Sequence, residues 1–185
     1  MNGITRKRVQ LHDKVFELSI PYADLDAAIE RLAARINHDY KDKELPLFIG
    51  VLNGAFMFFS ELLQKIEFQC EVSFVKLSSY HGTDSTGVVT ELIGLKDNIS
   101  GRHVIVVEDI VDTGASIAHL MNSMVGHNPA SLEIATMLFK PKAYKEKYLI
   151  KYPAMEIPND FIVGFGLDYN QIGRNLRDIY KIVNE

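Results

Sequence analysis

Residues 104–117 read VIVVEDIVDTGASI and contain the most informative structural pattern of the chain. Four apolar residues, 104–107, predict a buried strand that ends in the acids Glu108 and Asp109. Two apolar residues and the turn 112–116 follow, and then apolar residues recur at helical spacing over 116–125. This order of strand, tight turn and helix is typical of parallel sheets, which bind ligands beyond the carboxyl ends of their strands.

The remaining apolar segments repeat the alternation of short strands and amphipathic helices. Helices are predicted over residues 23–40, with Asp24 as the N-cap, and over 55–66 and 116–125. Strands are predicted at 47–52, 70–77, 88–93, 103–107, 132–139, 161–165 and 178–183, and the polar residues 78–87 predict a loop. The fold class is therefore α/β, with a mostly parallel, doubly wound sheet in a single domain over residues 1–185.

Composition excludes several classes of protein. The 185 residues carry 20 Lys and Arg against 24 Asp and Glu, and the net charge of −4 argues against nucleic acid or an anionic membrane as a partner. No apolar run approaches the roughly 18 residues that a membrane helix needs. The single cysteine, Cys70, excludes an internal disulfide and favours a reducing compartment. Because residues 1–15 are basic but precede no apolar segment, we expect no secretory signal and a cytoplasmic protein.

The turn 112–116 has the features of a phosphate site. Backbone N–H groups at a turn that opens a helix bind anions, and the helix N-terminus adds about half a positive charge. Thr113 and Ser116 can add hydroxyl donors, and Gly114 allows a ligand to approach the backbone closely. Glu108 and Asp109 repel phosphate, so they suit sugar hydroxyls or Mg²⁺.

Two other interpretations of this stretch are weaker. The acids could be solvated surface groups, but three carboxylates at the end of a buried strand are costly to leave without a role. Asp112-Thr113-Gly114 could be the nucleophile turn of an aspartic protease. That fold is all-β and uses two such carboxylates, whereas a helical pattern follows here and the chain has no second Asp-Thr-Gly.

The whole pattern of strand, two acids, two apolar residues and Asp-Thr-Gly resembles the phosphoribosyl diphosphate (PRPP) motif of the type I phosphoribosyltransferases. Other segments, spread over about residues 45–180, are similar to the hypoxanthine (6-oxopurine) branch of that family. The resemblance implies the type I fold, with a small hood formed by the terminal segments. It also implies transfer of 5-phosphoribosyl from PRPP to N9 of hypoxanthine or guanine, which gives IMP or GMP and diphosphate, with Mg²⁺ as cofactor.

Two loops carry part of this resemblance. Residues 51–55 resemble the pyrophosphate loop, in which Leu52, Asn53 and Gly54 would bind diphosphate across a cis Leu52–Asn53 peptide; Asn53 replaces the more common Lys. The alternative is an ordinary Asn-Gly turn. Residues 76–87 are similar to the mobile lid, in which Ser79 and Tyr80 would close over the substrates and exclude water. The alternative is a plain surface hairpin.

A third group of residues is similar to the purine pocket of the family. By this resemblance Lys140 donates to the 6-oxo group, Phe161 stacks on the base, and the backbone of Ile162 meets the base edge. Asp168 would bind Mg²⁺ and Arg174 the diphosphate, although Gly173 stands where the family usually has an aromatic residue. The alternatives are a solvated Lys140, a core Phe161 and a turn-forming Asp168.

The resemblance also assigns roles within the PRPP motif. Asp112 would be the catalytic residue that accepts a proton from purine N7, and Glu108 and Asp109 would hold the ribose hydroxyls directly or through Mg²⁺. The implied metal ligands are thus Glu108, Asp109 and Asp168, and the phosphate would lie on Asp112, Thr113, Gly114, Ala115 and Ser116.

Three further expectations concern base, partners and assembly. An enzyme of the same fold that uses xanthine, adenine or a pyrimidine remains an alternative, as does a PRPP-sensing regulator that binds RNA. We expect PRPP and a 6-oxopurine as ligands, no nucleic acid or membrane, and a homo-oligomer (dimer or tetramer) in which some of Phe56, Phe58 and Phe59 lie at a subunit contact.

Overall fold

The computed structural model describes residues 7–79, 89–95 and 97–183, which form three helices and ten strands. The helices are α1 (Tyr22–Tyr40), α2 (Phe56–Leu63) and α3 (Ala115–Val125). The strands are β1 (Arg8–Leu11), β2 (Lys14–Ile20), β3 (Leu47–Leu52), β4 (Glu71–Ser79), β5 (Val89–Ile93), β6 (His103–Val111), β7 (Ser131–Phe139), β8 (Tyr152–Glu156), β9 (Ile162–Val163) and β10 (Ile179–Ile182).

Six strands form the main sheet, in the order β5-β4-β3-β6-β7-β8. Strands β4, β3, β6, β7 and β8 are parallel, and β5 pairs antiparallel with β4 at one edge. The chain continues from β3 to β4 on one side, whereas β6 lies on the other side and continues to β7. The strand order therefore reverses between β3 and β6, and a ligand crevice is expected where their carboxyl ends meet.

Helices cover both faces of this sheet, as the alternating apolar side chains of its strands require. Ile105 and Val107 of β6 pack in one core cluster with residues of α1 and α2. Val104 and Val106 of the same strand pack in a second cluster with residues of α3. The predicted doubly wound α/β class is confirmed.

A second, antiparallel sheet forms a hood from the terminal segments, in the order β1-β2-β10-β9. Its core is Phe16, Val163 and Tyr180. Asp178, just before β10, accepts a hydrogen bond from the N–H of Tyr22 at 2.9 Å and so caps α1 from a distant part of the chain. The hood is thereby attached to the first helix of the main layer.

Several local predictions need correction. Asp24 lies in the first turn of α1 instead of capping it; the N-cap position is Pro21, and Asp178 supplies the acceptor. Strand β6 runs to Val111 because Ile110 and Val111 pair with β7, so Glu108 and Asp109 are part of the strand. Strands β1, β2 and β8 were not predicted, and the predicted strand 161–165 is a two-residue hood strand.

None of the helices in the described part of the chain is long and apolar enough to span a membrane.

Candidate active site

The turn after β6 lines a cavity of about 220 Å³. Its walls come from Glu108 and residues 110–117. Gly114 has φ +90°, a left-handed conformation that other residues rarely adopt, and it precedes the first residue of α3. The amide N–H groups at this helix start form the positive end of the helix dipole, so the cavity suits an anion.

The helix leaves these amides available for a ligand. The N–H of Ala118 donates to the carbonyl oxygen of Gly114 at 2.8 Å, which is the first hydrogen bond of α3. The N–H groups of residues 115–117 precede that bond, so the helix itself offers them no acceptor four residues earlier. The turn therefore presents amide donors of the kind that an anion-binding site uses.

Glu108 and Asp109 lie against this cavity in a desolvated position. Asp109 is 8% exposed and its Oδ1 accepts from the N–H of Ile110 at 2.8 Å. Burial, with the neighbouring Asp109 charge as the second cause, raises the pKa of Glu108 well above its usual 4.5, and burial also raises the pKa of Asp109. Oε2 of Glu108 is buried without a hydrogen-bond partner. A ligand hydroxyl or cation placed there would satisfy this oxygen.

The loop after β3 packs directly on Asp109. The Leu52–Asn53 peptide is cis, as the resemblance implied, and a turn follows it over residues 53–55. A Cβ on Gly54 would collide with the carboxylate of Asp109, and a Cβ on Gly166 would collide with the carbonyl oxygen of Gly54. The loop after β3, the end of β6 and the turn after β9 thus lie so close together that both positions require glycine.

Lys140 and Asp112 form an ion pair across neighbouring strands. Lys140 follows β7, and its Nζ donates to Oδ2 of Asp112 at 2.7 Å. The lysine side chain is 7% exposed and the aspartate 45%, so the lysine is enclosed while one side of the carboxylate remains open. A fully solvated Lys140 is excluded.

Phe161 lies at the start of β9 in the hood and is 48% exposed, so it is not a core residue. Its ring lies edge-on to Tyr169 at a centroid distance of 5.9 Å and against Phe16 at 6.2 Å. Its carbonyl oxygen accepts from the N–H of Ile182 at 2.9 Å, which fixes the backbone that leads into the buried Ile162. An exposed, anchored ring of this kind can stack on a planar ligand.

Asp168 and Arg174 are held together in the turn that follows β9. Nη2 of Arg174 lies 2.6 Å from Oδ1 of Asp168, and its Nη1 donates to the carbonyl oxygen of Gly166 at 2.7 Å. Oδ2 of Asp168 accepts from the N–H of Gln171 at 2.7 Å, which is the contact of a turn-forming residue. Gly173 has φ +99°, and a Cβ there would collide with Leu11 of the hood.

The expected metal ligands do not converge into a cluster. Among the described residues, no group of three or more His, Cys, Asp or Glu side chains could hold a metal ion. Glu108 nonetheless offers one unpartnered oxygen, and each carboxylate oxygen of Asp168 retains a second lone pair. These residues fit a hydrated Mg²⁺ that takes most of its oxygens from substrate and water.

The lid prediction is only partly described by the structure. Ser79 is the last residue of β4, whereas Tyr80 lies outside the described residues. Two contact residues were missed by sequence reasoning. Gly166 meets the Gly54 carbonyl across the fold, a contact that its own neighbours in the sequence do not encode. Tyr144, whose ring lies over Gly114, stands in a segment without any periodic signal.

Comparisons with known proteins agree with this geometry. The model of the phosphoribosyl transferase domain family matches residues 21–170. The chain is 36% identical over 167 residues to the hypoxanthine-guanine phosphoribosyltransferase of Streptococcus pneumoniae, which covers 90% of this chain and 92% of the relative. It is 42% identical over 156 residues to the hypoxanthine-guanine-xanthine phosphoribosyltransferase of Tritrichomonas foetus, which covers 83% and 84%.

Solved structures give the same result. A crystal structure of a hypoxanthine-guanine phosphoribosyltransferase from Bacillus anthracis superposes with a TM-score of 0.84 at 33% identity, over 92% of this chain and 99% of that one. The hypoxanthine phosphoribosyl transferase of Trypanosoma cruzi superposes with a TM-score of 0.85 at 31% identity, over 95% of each chain. A helix follows the Asp-Thr-Gly turn and the sheet is mostly parallel, so the all-β fold of an aspartic protease is excluded. The chain therefore belongs to the phosphoribosyltransferase family, in its hypoxanthine-guanine phosphoribosyltransferase branch.

Proposed function

We propose that this enzyme transfers the 5-phosphoribosyl group from PRPP to N9 of hypoxanthine or guanine, releasing diphosphate. The observation that carries the proposal is the cavity after β6. The anion-binding turn and Glu108 line this cavity, and the buried Asp109 and the Lys140–Asp112 pair adjoin these residues at the same end of the sheet. The turn suits the 5-phosphate of PRPP, the acids suit its ribose hydroxyls, and the Lys140–Asp112 pair suits the purine base.

PRPP is held by three parts of the crevice. The amides of residues 113–116, with the hydroxyls of Thr113 and Ser116, bind the 5-phosphate. The acids Glu108 and Asp109 accept hydrogen bonds from the ribose hydroxyls, which restores a partner to Oε2 of Glu108 and favours its ionised form. Leu52, Asn53, Gly54 and Arg174 bind the diphosphate. Ser79 and Tyr80 belong to the lid that excludes water.

Mg²⁺ is proposed as the cofactor, held by Glu108, Asp109 and Asp168 together with substrate oxygens. When bound, it neutralises charge on the departing diphosphate. The chain's own acids contribute in a second way. Negative charge from Glu108 and Asp109 lies beside the ribose, whose anomeric carbon becomes positive as the diphosphate leaves, and this charge stabilises the transition state.

The base is recognised by Lys140, Phe161 and Ile162. The lysine ammonium has three protons, and one of them is already donated to Asp112. Another can bond the 6-oxo group of hypoxanthine, whereas the 6-amino group of adenine would confront a group that only donates. Asp112 accepts the proton from N7, which makes N9 the better nucleophile, and Phe161 stacks on the ring.

Diphosphate release in the presence of PRPP and Mg²⁺ tests the proposal. Hypoxanthine, guanine, xanthine, adenine and uracil are offered one at a time, and the nucleotide product is identified by mass. Turnover with hypoxanthine or guanine, and none with adenine or uracil, is expected. A protein that ignores PRPP, or one that prefers adenine, would overturn the assignment. An RNA shift assay separates the enzyme from an RNA-binding regulator.

Xanthine is the second candidate base. The relative from Tritrichomonas foetus, which shares 42% of aligned residues, is named for hypoxanthine, guanine and xanthine. The contact from Lys140 to the 6-oxo group serves all three bases equally. The same panel decides whether xanthine is used.

We also propose a homo-oligomer, a cytoplasmic location and a single domain over residues 1–185. Phe56 is 45% exposed on α2, whereas Phe58 and Phe59 are buried in the core, so only Phe56 is available for a subunit contact. The free thiol of Cys70 supports a reducing compartment. The contact between Asp178 and α1 supports one folding unit.

A further inference from the structure

The segment between β7 and β8 packs against the turn that lines the cavity. Residues 141–148 read PKAYKEKY, and we refer to them as the 141–148 segment. The N–H of Lys145 donates to the carbonyl oxygen of Thr113 at 3.1 Å. The ring of Tyr144 lies over Gly114, where an added Cβ would collide with it. The segment thus contacts two consecutive residues of the turn.

The hydrogen bond from Lys145 fixes the orientation of one peptide group. In a trans peptide the C=O and the N–H point in opposite directions, and the only cis bond in the described residues is Leu52–Asn53. Because Lys145 holds the Thr113 carbonyl on its own side, the Gly114 N–H points away from the 141–148 segment. Within the described chain this N–H has no backbone acceptor, so it is free to bind a ligand.

The 141–148 segment is itself anchored to β7 and to α3. Tyr144 lies edge-on to Phe139 of β7 at a centroid distance of 5.4 Å, and its hydroxyl donates to the carbonyl oxygen of Tyr148 at 2.5 Å. The hydroxyl of Tyr148 donates to Oδ1 of Asn122 in α3 at 2.5 Å. The segment therefore connects β7, the neighbour of β6, to α3, the helix that follows the turn.

We propose that the 141–148 segment positions the Gly114 amide to bind the 5-phosphate of PRPP, with Tyr144 and the Lys145 N–H as positioning groups. The proposal rests on the proposed function. A donor that is already oriented costs no reorganisation when the anion binds, so it contributes more to affinity than a mobile one. Neither residue contacts the reacting atoms, and the effect should appear in phosphate binding alone.

The first test separates the backbone of Lys145 from its side chain. Lys145→Pro removes the N–H, whereas Lys145→Ala removes only the exposed side chain and serves as the matched control. We expect Lys145→Pro to raise the KM for PRPP and the Kd for IMP roughly tenfold, the effect of one hydrogen bond to a charged group. The KM for hypoxanthine and kcat should change little, because only binding of the phosphate is lost.

The second test concerns the ring of Tyr144. Tyr144→Ala removes the contact with Gly114 and should produce the same selective loss. Tyr144→Phe keeps the ring and loses only the hydrogen bond to Tyr148, so its PRPP affinity should be near that of the unaltered enzyme. Wild-type PRPP affinity in both Tyr144→Ala and Lys145→Pro would overturn the proposal, and so would an equal rise in the KM for both substrates.

Hydrogen exchange of backbone amides in the unaltered enzyme tests the positioning role without any variant, and so it also applies if a variant does not fold. The Lys145 amide should exchange slowly with and without ligand, and the Gly114 amide should become protected when IMP binds. A Lys145 amide that exchanges freely, or a Gly114 amide that stays unprotected with IMP bound, would refute the assignment. An enzyme that neither binds IMP nor releases diphosphate would instead refute the proposed function.

Discussion

At the scale of single residues, the site depends on the ion pair between Lys140 and Asp112. The lysine is enclosed and its charge needs a partner, whereas the aspartate is open to a ligand on one side. The pair therefore keeps the cation in place before a base binds. It also presents a donor and an acceptor side by side, which complement the O6 acceptor and the N7–H donor along one edge of a 6-oxopurine.

Asp112→Asn should keep PRPP binding and reduce turnover. The amide keeps an acceptor for Lys140 but cannot take a proton from N7, and positioned proton transfer is worth roughly 10²–10⁴ in rate. Steady-state kinetics together with PRPP titration by calorimetry would measure both effects. Unchanged turnover would remove the general-base role from Asp112.

Lys140→Ala should weaken the use of oxopurines far more than the affinity for PRPP. The variant removes the donor to the 6-oxo group, while Asp112 remains solvated and tolerates the loss of its partner. The KM for hypoxanthine and the Kd for PRPP are the two quantities to compare. A uniform loss on both substrates would contradict the assigned contact.

At the scale of elements, two kinds of contact join distant parts of the chain. Loops of the site meet at glycine residues, and an acid near the C-terminal strand caps α1. The loop after β3 meets the turn after β9 where Gly166 lies on the Gly54 carbonyl. Asp178 caps α1 although 156 residues separate it from Tyr22. Both contacts join segments that are distant in sequence.

Gly166→Ala should destabilise this junction and weaken PRPP binding. Its φ of +99° and the collision with Gly54 together should cost about 1–3 kcal/mol of unfolding free energy. Gly126→Ala is the control, because Gly126 has φ −64° and open space around it. Thermal unfolding and PRPP titration of both variants would test the prediction, which an undisturbed Gly166→Ala protein would contradict.

Asp178→Ala should lower stability by about 1 kcal/mol at neutral pH, the usual value of a helix cap. The bond from the Tyr22 N–H lowers the pKa of Asp178 below its ordinary 3.8. A lowered pKa means that the stabilisation is present above pH 3.8 and is lost as the pH falls through the folded-state pKa. The difference between variant and wild type in denaturant titrations should therefore shrink in acid.

Asp24→Ala is the matched control for this helix. Asp24 is an exposed acid of the same first turn without a capping bond, and its removal should cost only about 0.3 kcal/mol through the helix dipole, the low end for an exposed charge. An equal loss at both positions, or a difference at Asp178 that does not depend on pH, would contradict the capping role.

At the scale of the whole molecule, exposed apolar side chains lie on α2 and β4. Phe56 of α2 is exposed, and so are Val72 and Phe74 on one face of β4. Phe59, one helical turn after Phe56, contacts Phe74 edge-on at 5.4 Å. The three exposed side chains Phe56, Val72 and Phe74 are an apolar patch of the kind that a second copy covers in a symmetric dimer.

Phe74→Glu should shift the enzyme from oligomer to monomer, because it places a charge in the centre of this patch. Light scattering after gel filtration measures the change. Leu149→Glu is the control, since Leu149 is 77% exposed and lies in the connection between β7 and β8. A wild-type protein that is monomeric at working concentration, or equal behaviour of the two variants, would exclude the patch as a subunit interface.

The sequence alone determined the local part of the site, because a buried strand, a turn and a helix are each encoded by neighbouring residues. It predicted β3 with its bounds and placed Glu108 and Asp109 at the end of a buried strand, and the resemblance supplied the roles proposed for Lys140 and Phe161. Tertiary structure decided what depends on distant pairing. Strands β1, β2 and β8 are defined only by their partners, and the Lys140–Asp112 pair exists only because β6 and β7 are adjacent. The orientation of the Gly114 amide, set by a residue 31 positions later, could not be read from the turn itself, since a turn's residues do not specify what packs behind it.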